Sequence, residues 1–261
     1  MRKGQTSIRA GIQDLLCPFE YVAISQASGV GTHKGTRAVD IGFKSASNPR
    51  EAYYAPCDVK CVWTYPSNGQ AMWQSLNKVR LANGKVDYVT FVTCHDNSFD
   101  AKVGQIVKQG VQLGNKGNKG GATGIHCHIE LALGKKDYSD WRQNQYGIWT
   151  MNDEIDFDSA FFMDDTEVKS ILGTEQWKYL KDVPVSENKP SNGAYTINAY
   201  GDKIERGCKV SVRANFQYGG KSKFAVNYDK YDVIEVNGTR AVIGIGNTVT
   251  TAIHVDNLKR L

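Results

Sequence analysis

The chain has 261 residues, of which 41% are apolar and 23% charged, with 26 glycines and a formal net charge of +5. That is enough for one large domain or for a medium and a small one, and it excludes disorder, a collagen repeat and a persistent coiled coil. No run approaches the ~18 consecutive apolar residues of a spanning helix, and Arg9 and Asp14 interrupt the N-terminal segment, so neither a membrane span nor a signal peptide is expected.

In chain order, Ile8, Ile12, Leu15 and Leu16 recur at helical spacing behind Thr6 and Ser7, and the run stops at Pro18, which predicts a first helix. Then follow short alternating or apolar runs, YVAISQ, VKCVWTY, DYVTFVTCHDN and IHCHIELAL, separated by turns such as PSNGQ and ANGK. They predict a mainly β domain with an antiparallel sheet. Asp164 with Glu167 three residues later is a capping-box pattern that predicts a second helix ending near Gly173. The stretch DVPVSENKPSNG marks a composition shift and divides the chain into a domain over 1–165, a short helix and linker over 166–193, and a domain over 194–261. The last domain holds six β runs, YTINAY, KVSVRANF, KFAVNY, DVIEVNG, RAVIGIG and AIHVDNLKRL, the texture of a small β-barrel.

Charge is uneven. Residues 1–136 carry 17 Lys and Arg against 9 Asp and Glu, residues 137–193 carry 5 against 12, and residues 194–261 carry 10 against 6. Two basic bodies around an acidic connection suit a polyanionic setting, such as an anionic cell wall. Nucleic acid is not an expected partner, because no Lys/Arg run is interleaved with aromatics. The six cysteines lack the spacing of a disulfide scaffold, and Cys57 and Cys61 have no second pair or nearby His to complete a zinc site, so reduced core thiols are expected.

Histidine placement carries the chemistry. Four of five, His33, His95, His126 and His128, fall in the first domain. In IHCHIEL the i, i+2 spacing on a strand points His126 and His128 to one face and Cys127 to the other, with Glu130 on the histidine face as a candidate partner for a ring N–H. The same parity turns Cys94 away from His95. His33 and Asp40 lie upstream in GTHKGTRAVDIGF with six residues between them. Three ligands of His, His and Asp type leave the fourth position of a tetrahedral zinc open for water, as a hydrolytic site requires. Gly120, Gly121 and Gly124 read as turn formers.

The segment QIVKQGVQLGNKGNKGGATGIHCHIELAL, with YYAPCDVKCVW and FVTCHDN before it, resembles the lysostaphin-type zinc peptidases (the M23 family) over roughly residues 20–136. The resemblance implies zinc ligands His33, Asp40 and His128 and catalytic histidines His95 and His126. The His33 to Asp40 spacing is longer than the three intervening residues most common in that family. HKGTRAVDI also resembles the D-Ala-D-Ala carboxypeptidase-like zinc peptidases (the M15 family), but no Trp precedes any His here, so the lysostaphin type is favoured. VNGTRAVIGIGNTVTTAIHVDNLKRL resembles a bacterial SH3-like wall-binding domain. Together these imply a Zn2+-dependent endopeptidase acting on the stem or cross-bridge of peptidoglycan. The expected setting is a bacteriophage endolysin held in the host cytoplasm until lysis, with peptidoglycan and anionic wall polymers as partners. A carboxypeptidase or amidase on the stem peptide, and a non-catalytic wall-binding protein, are the alternatives.

Overall fold

The computed structural model describes residues 1–170, 173–185, 195–220, 222–246 and 248–261. The chain divides into two compact units, Met1–Val185 and Ser186–Leu261. Most of the expected linker, residues 186–193, lies outside the described residues. No helix among the described residues is long and apolar enough to cross a membrane.

The first unit is built on an eight-stranded sheet. Its strands are β1 (Tyr21–Gln26), β2 (Val39–Ile41), β3 (Val59–Tyr65), β4 (Gln70–Ser75), β5 (Val89–Cys94), β6 (Ile106–Val107), β7 (Cys127–Leu133) and β8 (Glu167–Lys169). They lie in the order β6-β3-β4-β5-β7-β2-β1-β8. Every neighbouring pair is antiparallel except β8 on β1. Alternation sorts the side chains. Cys61, Trp73, Phe91, Cys127, Ile129 and Leu131 face a core shared with Leu15, Phe19, Phe157 and Phe161. Met72, Val92, Cys94 and Ala132 face the other way, and that side carries the histidines. All six cysteines are free and buried, and burial pushes the Cys61 thiol up to about 11. The expectation that these cysteines lie in the core therefore matches the structure.

Both expected helices are replaced by extended chain. Residues 8–16 form a hairpin, Ile8–Arg9 against Ile12–Gln13, turned by Ala10 and Gly11 at φ 49° and 75°. Two successive positive φ values specify a tight two-residue hairpin turn, which outweighs helical spacing. The polar positions decide the rest: buried Asp14 accepts from Arg9 Nε and Nη2 at 2.8 Å and from Arg80 Nη1 at 3.0 Å, while Ile8 stays exposed. At the second site no capping box forms. Asp164 accepts from Leu180 N at 2.7 Å, Asp165 has φ 56°, and Glu167 N donates to Glu20 O at 2.8 Å, which starts β8. Ile171 and Leu172, within that expected helix, lie outside the described residues. The single α-helix among the described residues is the one-turn α1 (Phe157–Ala160).

The second unit contains β9 (Tyr195–Ile197), β10 (Lys203–Glu205), β11 (Lys209–Val212), β12 (Tyr231–Asn237), β13 (Arg240–Ile245), β14 (Thr248–His254) and β15 (Leu258–Arg260). β9 pairs with β10, and the others form a sheet in the order β14-β13-β12-β11-β15. Its small core centres on Val210, Tyr231, Val233, Ile243, Ile253 and Leu258. KFAVNY, expected as a strand, holds no named strand, because its N-terminal Lys223 makes only an isolated bridge to Phe216.

Candidate metal centre

Sheet register builds the site. β7 lies between β5 and β2, and His128 is paired with Cys94 on one side and Asp40 on the other. Directly paired residues share a face, so Cys94, His128 and Asp40 form a row across three strands. Sequence parity expected Cys94 to turn away from His95, whereas both line the same cleft. The reason is His95 itself: it leaves β5 at φ 76°, a left-handed backbone that breaks the alternation and swings the imidazole back over the face it would have left.

The six residues between His33 and Asp40 are taken up by a short turn. Gly31–His33 is one turn of 3-10 helix, and Thr36 Oγ1 donates to His33 O at 3.1 Å before the chain enters β2. His33, only 2% exposed, is thereby placed over Asp40 and His128. His33 Nε2, Asp40 Oδ1 and His128 Nδ1 form a triangle with sides of 3.2, 3.0 and 3.1 Å. A four-coordinate zinc with bonds of about 2.0–2.1 Å separates its donors by about 3.3 Å, so the triangle has the right size.

The lone pairs suit a cation. His33 Nδ1 faces Ala27 O at 3.2 Å and can donate there, and in that tautomer of the neutral ring Nε2 is bare. One proton on His128 Nδ1 can satisfy one neighbour, so His33 Nε2 would still meet Asp40 Oδ1 with no hydrogen between them. A metal removes that repulsion, and the donor set of two imidazoles and a carboxylate suits zinc. Burial alone would raise the Asp40 carboxyl, but the His128 and His33 rings outweigh it and hold the acid well below the usual carboxylate range. Burial pushes the His128 imidazole down, against the raising effect of Asp40.

The other two histidines flank the triangle. His126 Nδ1 donates to Gly124 O at 2.9 Å and His95 Nδ1 to Lys119 O at 2.8 Å, so each presents a bare Nε2. His126 Nε2 lies 3.5 Å from Asp40 Oδ1, and the His95 and His126 ring centres are 4.8 Å apart. Burial brings the His95 imidazole down to about 4, which keeps it neutral near pH 7. All five residues expected from the sequence thus meet in one cleft of about 740 Å³. Glu130 does not join them. It is fully buried further along β7, where Oε1 accepts from Met151 N at 2.7 Å and Thr150 Oγ1 at 3.0 Å, and burial followed by the nearby Glu154 pushes its carboxyl up.

Sequence reasoning missed Asp96. It is 1% exposed, and its carboxylate accepts from Ser98 N and Asn115 N, each at 2.8 Å, which anchors the loop that carries His95. His95 N donates to Asn68 O at 2.9 Å, and Lys119 N donates to His95 O at 3.1 Å. This packing leaves no room for a side chain at Gly117, where a Cβ would lie 2.1 Å from His95 O. The same holds at Gly120, read as a turn former, where φ is 72° and a Cβ would lie 1.8 Å from Asn68 Oδ1. The aromatic wall of Trp63, Tyr65 and Tyr138 was also missed.

No protein-family model matches the chain. It is similar to Morphogenesis protein 1 of Bacillus phage B103, with 34% identity over 177 residues, 67% of this chain and 46% of the relative. The chain therefore matches about half the length of that curated relative. Among solved structures, it is similar to the antimicrobial peptidase lysostaphin from Staphylococcus simulans at 16% identity, covering 88% of this chain and 86% of that one with a TM-score of 0.34. A putative peptidase M23 from Pseudomonas aeruginosa shows 23% identity, coverage of 51% and 49%, and a TM-score of 0.30. A zinc containing peptidase from Vibrio cholerae shows 15% identity, coverage of 48% and 42%, and a TM-score of 0.33. With TM-scores of 0.30, 0.33 and 0.34, these structural likenesses carry no functional argument.

Proposed function

We propose that the chain is a zinc-dependent endopeptidase that cleaves a peptide bond in the stem or cross-bridge of bacterial peptidoglycan. The observation that carries this reading is the convergence of three lone-pair donors, His33 Nε2, Asp40 Oδ1 and His128 Nδ1, beside two more bare imidazole nitrogens in an open cleft. Zinc, when bound, would supply a Lewis acid for the scissile carbonyl and a water whose pKa falls towards about 7. His33, Asp40 and His128 would hold it, with Asp40 offsetting part of its charge. His126 and His95 lie on the cleft side with their Nδ1 protons committed to backbone carbonyls, so each Nε2 is free to take a proton from water. Once protonated, the same nitrogen donates to a developing oxyanion or to the leaving amine.

The second unit is read as an SH3-like wall-binding module, and the whole chain as a phage lysin that waits in the host cytoplasm. The phage relative supports the setting, and its name, a morphogenesis protein, favours a second reading in which the chain takes part in building the phage particle. Mass spectrometry of purified virions separates the two. For the chemistry, the test is zinc content together with digestion of purified peptidoglycan. About one zinc per chain, lysis abolished by chelation and restored by zinc, and new N-termini in the digest are expected. Full activity of a metal-free preparation overturns the reading. Release of single terminal residues, or of intact stems from the glycan, replaces it with a carboxypeptidase or an amidase.

A further inference from the structure

The cleft extends beyond the donor triangle along a wall that β3 was not expected to supply. In VKCVWTY, simple alternation puts Cys61, Trp63 and Tyr65 on one face, and Cys61 does face the core. The β3–β4 register shifts between Cys61 and Trp63: Cys61 pairs with Trp73, but Trp63 pairs with Met72 and Tyr65 with Gln70. This bulge turns Trp63 and Tyr65 onto the face of the histidines. Tyr138 joins from the loop after β7. Its ring lies 5.2 Å from Trp63 at 23°, and Tyr65 lies 6.2 Å from Trp63 at 18° on a second stacked contact. Tyr65 and Tyr138 remain 52% and 55% exposed, so two large rings with flat faces stand in water beside the metal site.

The remaining lining decides what covers them. Among the described residues, Asp40 is the only carboxylate in the cleft, and no Lys or Arg lines it. The polar groups shown beside the Tyr65 end of the wall are the amides of Gln70, which pairs with Tyr65, and of Asn68, whose Nδ2 donates to Gln70 Oε1 at 3.0 Å. A stem peptide with free carboxylates and an ammonium group would be expected to meet counter-charges. A pyranose instead presents a flat face of C–H bonds to an aromatic ring, while its hydroxyl and acetamido groups seek uncharged amides.

We propose that Trp63, Tyr65 and Tyr138 form a subsite for an N-acetylhexosamine unit of the glycan strand, placed so that the stem peptide it bears reaches the donor triangle. This deepens the peptidase reading and rests on it for the source of the sugar. The probe is the β-1,4-linked tetramer of N-acetylglucosamine, added to the full chain after removal of metal with a chelator, with binding followed by tryptophan fluorescence and by chemical shifts. Saturable binding is expected, weakened at least about 10-fold in Tyr65→Ala with Tyr138→Ala, two exposed positions whose loss spares the core, and retained in part by Tyr65→Phe with Tyr138→Phe. Absence of saturable binding, or binding unchanged by the alanine pair, overturns the subsite. An uncharged-sugar-free stem tetrapeptide tested in parallel gives a third result: if it alone depends on the two tyrosines, the wall serves peptide. Because metal is absent, sugar binding through these rings stands even if zinc hydrolysis fails. A chain that hydrolyses stem peptides and ignores the tetramer loses the subsite alone.

Discussion

At the scale of single residues, the proposed site separates three donors that would hold a metal from two imidazoles that would act beside it. His128 contributes a corner of the donor triangle, so His128→Ala is expected to lose both zinc and activity. His95→Ala and His126→Ala are expected to keep most of the zinc while kcat falls about 10²–10⁴-fold, the usual range for loss of a general acid or base. Metal analysis alongside kinetics checks this, and loss of zinc from His126→Ala would show that the pair's roles are reversed. Asp96 acts at one remove. Its carboxylate accepts two backbone N–H groups, which an amide cannot fully reproduce, and it holds the loop on which His95 adopts its left-handed backbone at a cost of about 1–3 kcal/mol. Asp96→Asn is therefore expected to lower kcat about 10-fold, or about 1.4 kcal/mol, with KM and zinc content nearly unchanged. A rise in KM alone would make Asp96 a substrate-binding group instead.

At the scale of elements, strand parity placed the His126 and His128 pair and failed where the backbone departs from it; His33, Asp40 and His95 were assigned to the site only through the resemblance. IHCHIEL placed His126 and His128 on one side and Cys127 in the core because β7 is paired on both sides from its start and His126, just before it, continues the extended chain through an isolated antiparallel bridge to Gly117. Cys94 and the first expected helix were misjudged, and Trp63 was missed, for one physical reason: a left-handed residue at His95, a bulge in β3 and the Ala10-Gly11 turn each change the backbone locally. Apolar spacing does not register such changes, although Gly11 was a visible signal. Loop ties also depend on partners far along the chain. Asp58, at the start of β3, accepts from Lys108 Nζ at 2.7 Å, Gln109 N at 3.0 Å and Gln13 Nε2 at 3.2 Å. Burial alone would raise its carboxyl, but these donors together hold it below the usual carboxylate range. A lowered folded-state value means that the stabilisation is present above the unfolded value of about 4 and disappears as pH falls through the folded value. Asp58→Asn is accordingly expected to be less stable than the parent at pH 7, with the gap closing at low pH, as read by chemical denaturation across that range. A gap that stays constant with pH would show that the ties work through shape rather than charge.

At the scale of the whole molecule, chemistry and delivery are expected to part between the two units. The donor triangle and both flanking histidines lie wholly within Met1–Val185, whose core includes side chains as late as Trp177 and Tyr179. A chain ending at Val185 is therefore expected to fold, bind zinc and cleave a small soluble peptide at close to the full-length rate. If residues 194–261 are a wall-binding module, lysis of whole cells should fall by about 10²-fold or more, because tethering raises the local concentration of enzyme at its substrate. Part of such a loss comes from charge, since that segment carries 10 Lys and Arg against 6 Asp and Glu. Raised salt separates the contributions: screening shortens the reach of exposed charges to a few ångströms and leaves specific recognition largely intact. A difference between the two chains that persists at high salt identifies recognition. One that vanishes reduces the second unit to an electrostatic anchor. Equal lysis by both chains at every salt concentration removes the delivery role altogether, while the metal centre and its peptidase reading remain untouched.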